Sequence, residues 1–151
     1  MKLQKYFLLF TLFFTQLVFA EIPDTAAVQN AYYTWCKTMG TAKGDAHQII
    51  KFYAPNAILL PTLSSNILIN HHGGFDAYFS SLTSHDQFKC TPEELKTQLV
   101  GNVAINSGKY AFSYRDAHHH KIIPARFTFV YQKQGKEWLI INHHSSVVPS
   151  Y

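Results

Sequence analysis

The chain has 151 residues, 47% hydrophobic and 15% charged, with a formal net charge of +4. That length fits one domain with its own hydrophobic core. No run of Lys or Arg interleaved with aromatics occurs, which argues against nucleic-acid binding, and neither a Gly-x-Gly-x-x-Gly fingerprint nor a phosphate-binding loop is present to argue for a nucleotide.

Residues 1–20 read as a secretory signal. Lys2 and Lys5 form a positive start, Tyr6 to Phe14 is almost wholly apolar, and Val18-Phe19-Ala20 offers a small-residue cleavage site before Glu21. The apolar run is short for a membrane anchor, and Gln16 interrupts it. Removing 20 of 151 residues leaves 131, the single domain 21–151, and the loss of two lysines brings the charge to +2. The expected location is therefore the periplasm or the exterior, with no membrane contact after cleavage. Two cysteines remain, Cys36 and Cys90. In an oxidising compartment an even count points to one disulfide; two buried thiols that never meet are the alternative.

Asp24 can cap a first helix, in which Val28, Ala31, Tyr32, Trp35, Cys36 and Met39 fall on one face before Gly40. Tyr32 and Trp35 on that face serve either a core or a ligand-facing wall. Asp45 and Gln48 resemble a capping box opening a short helix through Tyr53. Ala57 to Leu60 reads as a brief strand ended by Pro61, and Ile67 to Ile69 as its return. Phe75, Tyr78, Phe79 and Leu82 have helical spacing. A long strand then runs from Pro92 to Ile105. Gly108 is expected to turn it into Lys109–Tyr114, and Arg115 to Lys121 to form a polar loop. The order α-α-β-β-α-β-β-β-β predicts an α+β fold, with N-terminal helices packed on one face of a curved antiparallel sheet.

The last stretch is the most informative. Phe127, Phe129 and Tyr131 alternate with Arg126, Thr128 and Val130, and a Gly135 turn leads to a second alternating run from Trp138. This is a strand-and-hairpin pattern. With a loop at Gln134-Gly135-Lys136, Lys133 faces Glu137 and Arg126 falls opposite His144. One face then holds Arg126, Thr128, Asn142, His144 and Ser146, with Val130, Trp138 and Ile140 further along. A one-residue slip would send one strand's set to the other face. A cation beside an imidazole suits a carboxylate or another anion; two side chains reaching solvent at a sheet end are the plainer reading. Arg126, His144, Asn142, Tyr110 and Trp35 are the candidate ligand-binding residues.

Catalysis finds few candidates. His144 is the best general base, with Tyr110, Tyr114 or Tyr131 as hydroxyl partners and Arg126 as an oxyanion partner. Ser145 and Ser146 lie in no Gly-x-Ser-x-Gly elbow. His118-His119-His120 lacks fixed ligand geometry, since consecutive residues of an extended chain point opposite ways. No metal and no cofactor is expected.

Phe52 to Pro61, Phe75 to Leu82, and above all Arg126…Gly135-Lys136-Glu137-Trp138…His143-His144-Ser145-Ser146…Pro149 resemble the bacterial relatives of the calcium/calmodulin-dependent protein kinase II association domain. These sit in the nuclear transport factor 2-like (SnoaL-like, cystatin-like) superfamily. The resemblance implies a cone of helices over a curved sheet enclosing a pocket. It also implies self-assembly, as a homodimer or larger, and a pocket in which Arg126 and His144 match residues able to hold a small carboxylate. A second pocket arginine of the kinase falls within Lys109 to Tyr114, where this chain has none. No kinase domain appears in these residues, so kinase activity does not follow. Two readings result: a non-enzymatic association and small-anion-binding domain, or a small isomerase- or hydrolase-type enzyme using His144.

Overall fold

The computed structural model describes residues 24–117 and 119–150; the signal segment and His118 lie outside them. The elements are α1 (Asp24–Thr41), α2 (His47–Ile50), β1 (Tyr53–Leu60), β2 (Leu68–Ile69), α3 (Asp76–Thr83), β3 (Asp86–Val100), β4 (Val103–Asp116), β5 (His119–Gln134) and β6 (Glu137–Val147). The strands form one sheet in the order β2-β1-β6-β5-β4-β3. β1 runs parallel to β6, and the other neighbours are antiparallel. The order of helices and strands is the one the sequence pattern predicts.

α1 forms because its apolar residues recur at helical spacing, and Val28, Tyr32, Trp35, Cys36 and Met39 are all buried. It lies across one face of the long strands. Tyr32 stacks on Phe127 at 4.9 Å, and Trp35 meets Phe129 edge-on at 4.9 Å. Polar contacts pin its first turns. Buried Asn106 donates to the Val28 carbonyl at 3.2 Å and accepts from Thr97 at 2.8 Å. Lys133 pairs with Asp24 at 2.6 Å. Cys36 and Cys90 are joined in a disulfide, Cα to Cα 5.3 Å, tying α1 to the edge strand β3.

Four local expectations change. The segment after Asp45 makes only one turn of helix. Asp45 does accept from the His47 backbone at 3.2 Å and from the Gln48 side chain at 3.0 Å. The Ile140 amide, however, takes the Phe52 carbonyl at 2.9 Å, so the chain is already in the sheet by Tyr53. β1 is longer than the expected Ala57–Leu60 and lies inside the sheet, between β2 and β6. Pro55 is tolerated because the β1–β6 register breaks between Tyr53 and Ile58, with Asn56 at φ 63°. Gly108 does not turn the chain, for β4 runs straight through it. A Cβ there would sit 1.8 Å from the Glu94 carbonyl oxygen, beside the bulge between Pro92 and Glu94, so this glycine permits strand contact rather than reversal. Reversal falls at residues 101–102 instead, and the expected polar loop at 115–121 is largely strand, with Asp116 opposite His119.

Removing the disulfide by the double substitution Cys36→Ala and Cys90→Ala frees a chain segment spanning 54 positions. The unfolded state gains entropy, and the expected loss is about 2–4 kcal/mol in chemical denaturation at neutral pH. An unchanged midpoint would show that the α1–β3 contact holds without the crosslink.

Candidate functional site

The final hairpin decides which side chains meet. Its turn pairs Gln134 with Glu137, one residue away from the expected register. The pairing shifts again between Val130 and Tyr131, where β6 bulges at Ile141. Each step alone would exchange the faces, and the two together restore them beyond the bulge. Arg126 therefore pairs with Ser146, Thr128 with His144, and Val130 with Asn142, all on the face turned away from α1. Trp138 and Ile140 precede the bulge and go to the buried face instead of sharing the polar one.

The five candidate ligand residues do not come together. Arg126, Asn142 and His144 lie on the outer face, while Trp35 and Tyr110 lie in the core on the other side. Arg126 and His144 are exposed and border a shallow hollow of about 150 Å3 with Phe127, Thr128 and Ser146. The Arg126 Nε donates to the Ser146 hydroxyl at 3.2 Å. The enclosed pocket expected around this pair is thus replaced by an open surface hollow. The interior is occupied by rings, with Tyr110 on Phe127 at 5.1 Å and Phe127 on Phe129 at 4.8 Å. Among the described residues, no carboxylate or tyrosine hydroxyl bonds to His144, so the partner that a general base there requires is not in place. Nor does any group of three His, Cys, Asp or Glu converge among those residues as metal ligands would.

The histidine with a tyrosine partner is its neighbour. His143 is 3% exposed, and its Nδ1 lies 2.8 Å from the Tyr53 hydroxyl. The Trp35 indole N–H donates to that same hydroxyl at 3.1 Å. The hydroxyl oxygen accepts from Trp35 and keeps one lone pair and one proton, so its bond to Nδ1 runs in the direction that the imidazole tautomer sets. The ring's Nε2 has no hydrogen-bond partner. Phe129 packs on the ring at 3.9 Å. Burial, and secondarily the His144 charge, holds the His143 pKa well below the usual imidazole value. Burial likewise pushes the Tyr53 phenol well up.

A second buried polar group stands beside it. Tyr110 donates to the Ser145 hydroxyl at 2.7 Å, and Thr62 reaches both hydroxyls. Burial pushes the Tyr110 phenol up to about 12, against the lowering effect of these bonds. The first group links β1 to β6 and the second links β4 to β6, with the His143 Nε2 left unpaired among the described residues. Sequence reading missed His143 as the buried member of the His143-His144 pair. The counted register already sets His143 on the face opposite Arg126 and His144; what it does not show is that α1 covers that face.

The neutral His143 ring sets an acid limit. Its native pKa lies below the unfolded value near 6.5, so below that pH the unfolded chain binds the extra proton and the native state does not. Stability is expected to be flat with respect to this group above pH 6.5 and to fall below it, by up to about 1.4 kcal/mol per pH unit. Urea unfolding at pH 7.5 and pH 5.5 checks this, with His143→Gln expected to show the shallower pH dependence. Equal slopes in the two proteins would remove His143 as the cause.

Against known proteins, residues 25–149 match the family described as the calcium/calmodulin dependent protein kinase II association domain. Among curated proteins none matches the sequence. Among solved structures, the fold is similar to a Xanthomonas campestris protein assigned to that association domain, at 32% identity and TM-score 0.73, covering 82% of this chain and 87% of that one. It is also similar to the S. rosetta CaMKII hub, at 17% identity and TM-score 0.69, covering 85% of this chain and 100% of that one. A Novosphingobium aromaticivorans NTF2-like protein with a cystatin-like fold matches at 7% identity and TM-score 0.71, covering 85% and 84%. The last two likenesses concern the fold.

Proposed function

Since the chain belongs to the calcium/calmodulin-dependent protein kinase II association-domain family, we propose that it is an exported assembly module that binds a second copy of itself through the sheet face turned away from α1. The observation that carries this reading is a cross-strand row. Ile105 pairs with Val130, Val130 with Asn142, Asn142 with Ile58, and Ile58 with Ile69, so the row crosses five strands and is apolar but for one amide. A sheet with one face on its core ordinarily turns polar residues outward. Ile58 and Ile69 are 38% and 50% exposed, which favours a partner with the same chemistry. The neighbouring row, Ser107, Thr128 and His144, and the next, Lys109, Arg126 and Ser146, supply the polar rim such a contact needs. The name of the matched family, and the description of the S. rosetta relative as a hub, support self-association.

Export rests on the composition of residues 1–20 and agrees with the Cys36–Cys90 disulfide, which an oxidising compartment maintains. Mass spectrometry of the protein recovered from the periplasm or the medium should find a chain beginning at Glu21. A full-length chain in the cytoplasm would contradict it.

Light scattering at micromolar concentration should give a dimer or a larger assembly. Val130→Lys places a charge at the middle of the apolar row and should dissociate it by at least about 2 kcal/mol while leaving the fold intact by circular dichroism. A wild-type monomer, or a variant that assembles as well as wild type, would rule out this face.

The hollow at Arg126 supports a second reading, a surface site for a small carboxylate. The Ser146 bond occupies Nε and leaves the outer guanidinium donors for a bidentate anion, with His144 nearby. Small carboxylates should raise the melting temperature of wild type and leave Arg126→Ala unmoved. Equal shifts in both proteins would place the anion elsewhere.

A further inference from the structure

We propose that the cleft between α3 and the strap at residues 61–68 is a binding site for a small uncharged ring compound bearing a hydroxyl group. The cleft has a volume of about 430 Å3, within the range of roughly 300–1,000 Å3 typical of small-molecule sites. It shares no lining residue with the Arg126 hollow. Leu63 and Leu68 line it from the strap, and Ala77 and Leu82 from α3, giving apolar walls on both sides. Ser81 and His85 bring polar groups to the same space.

The cleft is held open by fixed contacts. At its base, a Cβ on Gly74 would lie 2.0 Å from the Ile69 carbonyl oxygen, so the start of α3 is pressed against the end of β2. The Leu63 backbone lies close enough to the Tyr78 hydroxyl to influence it, which puts the strap against the helix. The His85 ring stacks on Tyr114 at 4.2 Å with 15° between planes, which sets its direction. A site shaped before the ligand arrives loses little freedom on binding.

The lining dictates the ligand class. It includes no Asp, Glu, Lys or Arg. A charged ligand entering between leucines would give up water and meet no permanently charged side chain of opposite sign in the lining. A ring fits the apolar walls, and one hydroxyl can bond to Ser81 or to the His85 imidazole.

Phenol and its charged counterpart benzoate are the probes, followed by two-dimensional amide NMR on the full domain. Phenol is expected to shift amides in 63–68 and 74–85 saturably, and benzoate to shift them more weakly. Ala77 is exposed and borders the cleft, so Ala77→Phe puts a ring into the space and should weaken phenol binding about tenfold with no fall in melting temperature. Ser81→Leu is the second filling variant should the first unfold. Shifts scattered outside these segments, or a well-folded filled variant that titrates like wild type, would overturn the site. Benzoate binding as tightly as phenol would overturn the uncharged class.

Discussion

The Trp35 side chain stands between the two layers of the molecule. Its ring meets Phe129 edge-on at 4.9 Å and His143 edge-on at 5.5 Å, while its N–H reaches the Tyr53 hydroxyl at 3.1 Å. One residue of α1 thus touches β1, β5 and β6 together. Its bulk fills the space under the helix, and its single donor goes to the Tyr53 hydroxyl, which bonds the only buried histidine among the described residues. Water is kept out, and the imidazole is held neutral because nothing nearby would repay its charge. Phe129, Tyr110 and Phe127 close around the same point, so the cone has a packed interior.

That packing separates the two sides of the sheet by function. Inside, polar atoms link β1, β4 and β6 through Tyr53, His143, Tyr110, Ser145 and Thr62. Outside, Arg126, His144 and the row through Val130 are available to partners. A sheet only one residue thick can do this because neighbouring side chains point opposite ways. His143 and His144 are adjacent in the chain and live in different media, one dry and one wet. An interior arginine would lack both water and a counter-ion here, and the chain has none among its buried residues.

Much of this was visible in the residue pattern. The helical face from Val28 to Met39 and the order of the nine elements follow from periodicity and from counting. The family resemblance was legible in the motif around Gly135 to Pro149, and the matched span 25–149 agrees with it. What escaped was register. Gly108 looked like a turn because a glycine between two β-rich runs usually is one, whereas here it lets the Glu94 carbonyl approach. The hairpin count placed Trp138 and Ile140 beside His144, and both lie in the core.

Local pattern by itself determined the order of helices and strands, since spacing of 3.6 or 2 residues is a property of the chain alone. It determined the absence of a nucleotide motif and the family resemblance, and it offered Cys36 and Cys90 as a possible pair that the fold brings together. Tertiary structure alone decided which face of the last hairpin is covered by α1, and that Trp138 and Ile140 lie on that face. A bulge at Ile141 adds one residue to β6 without any mark in composition, and it brings His143 to the same face as Trp138 and Ile140. Face assignment is a parity, so one unseen residue reverses it, and only contacts from other elements settle the sign.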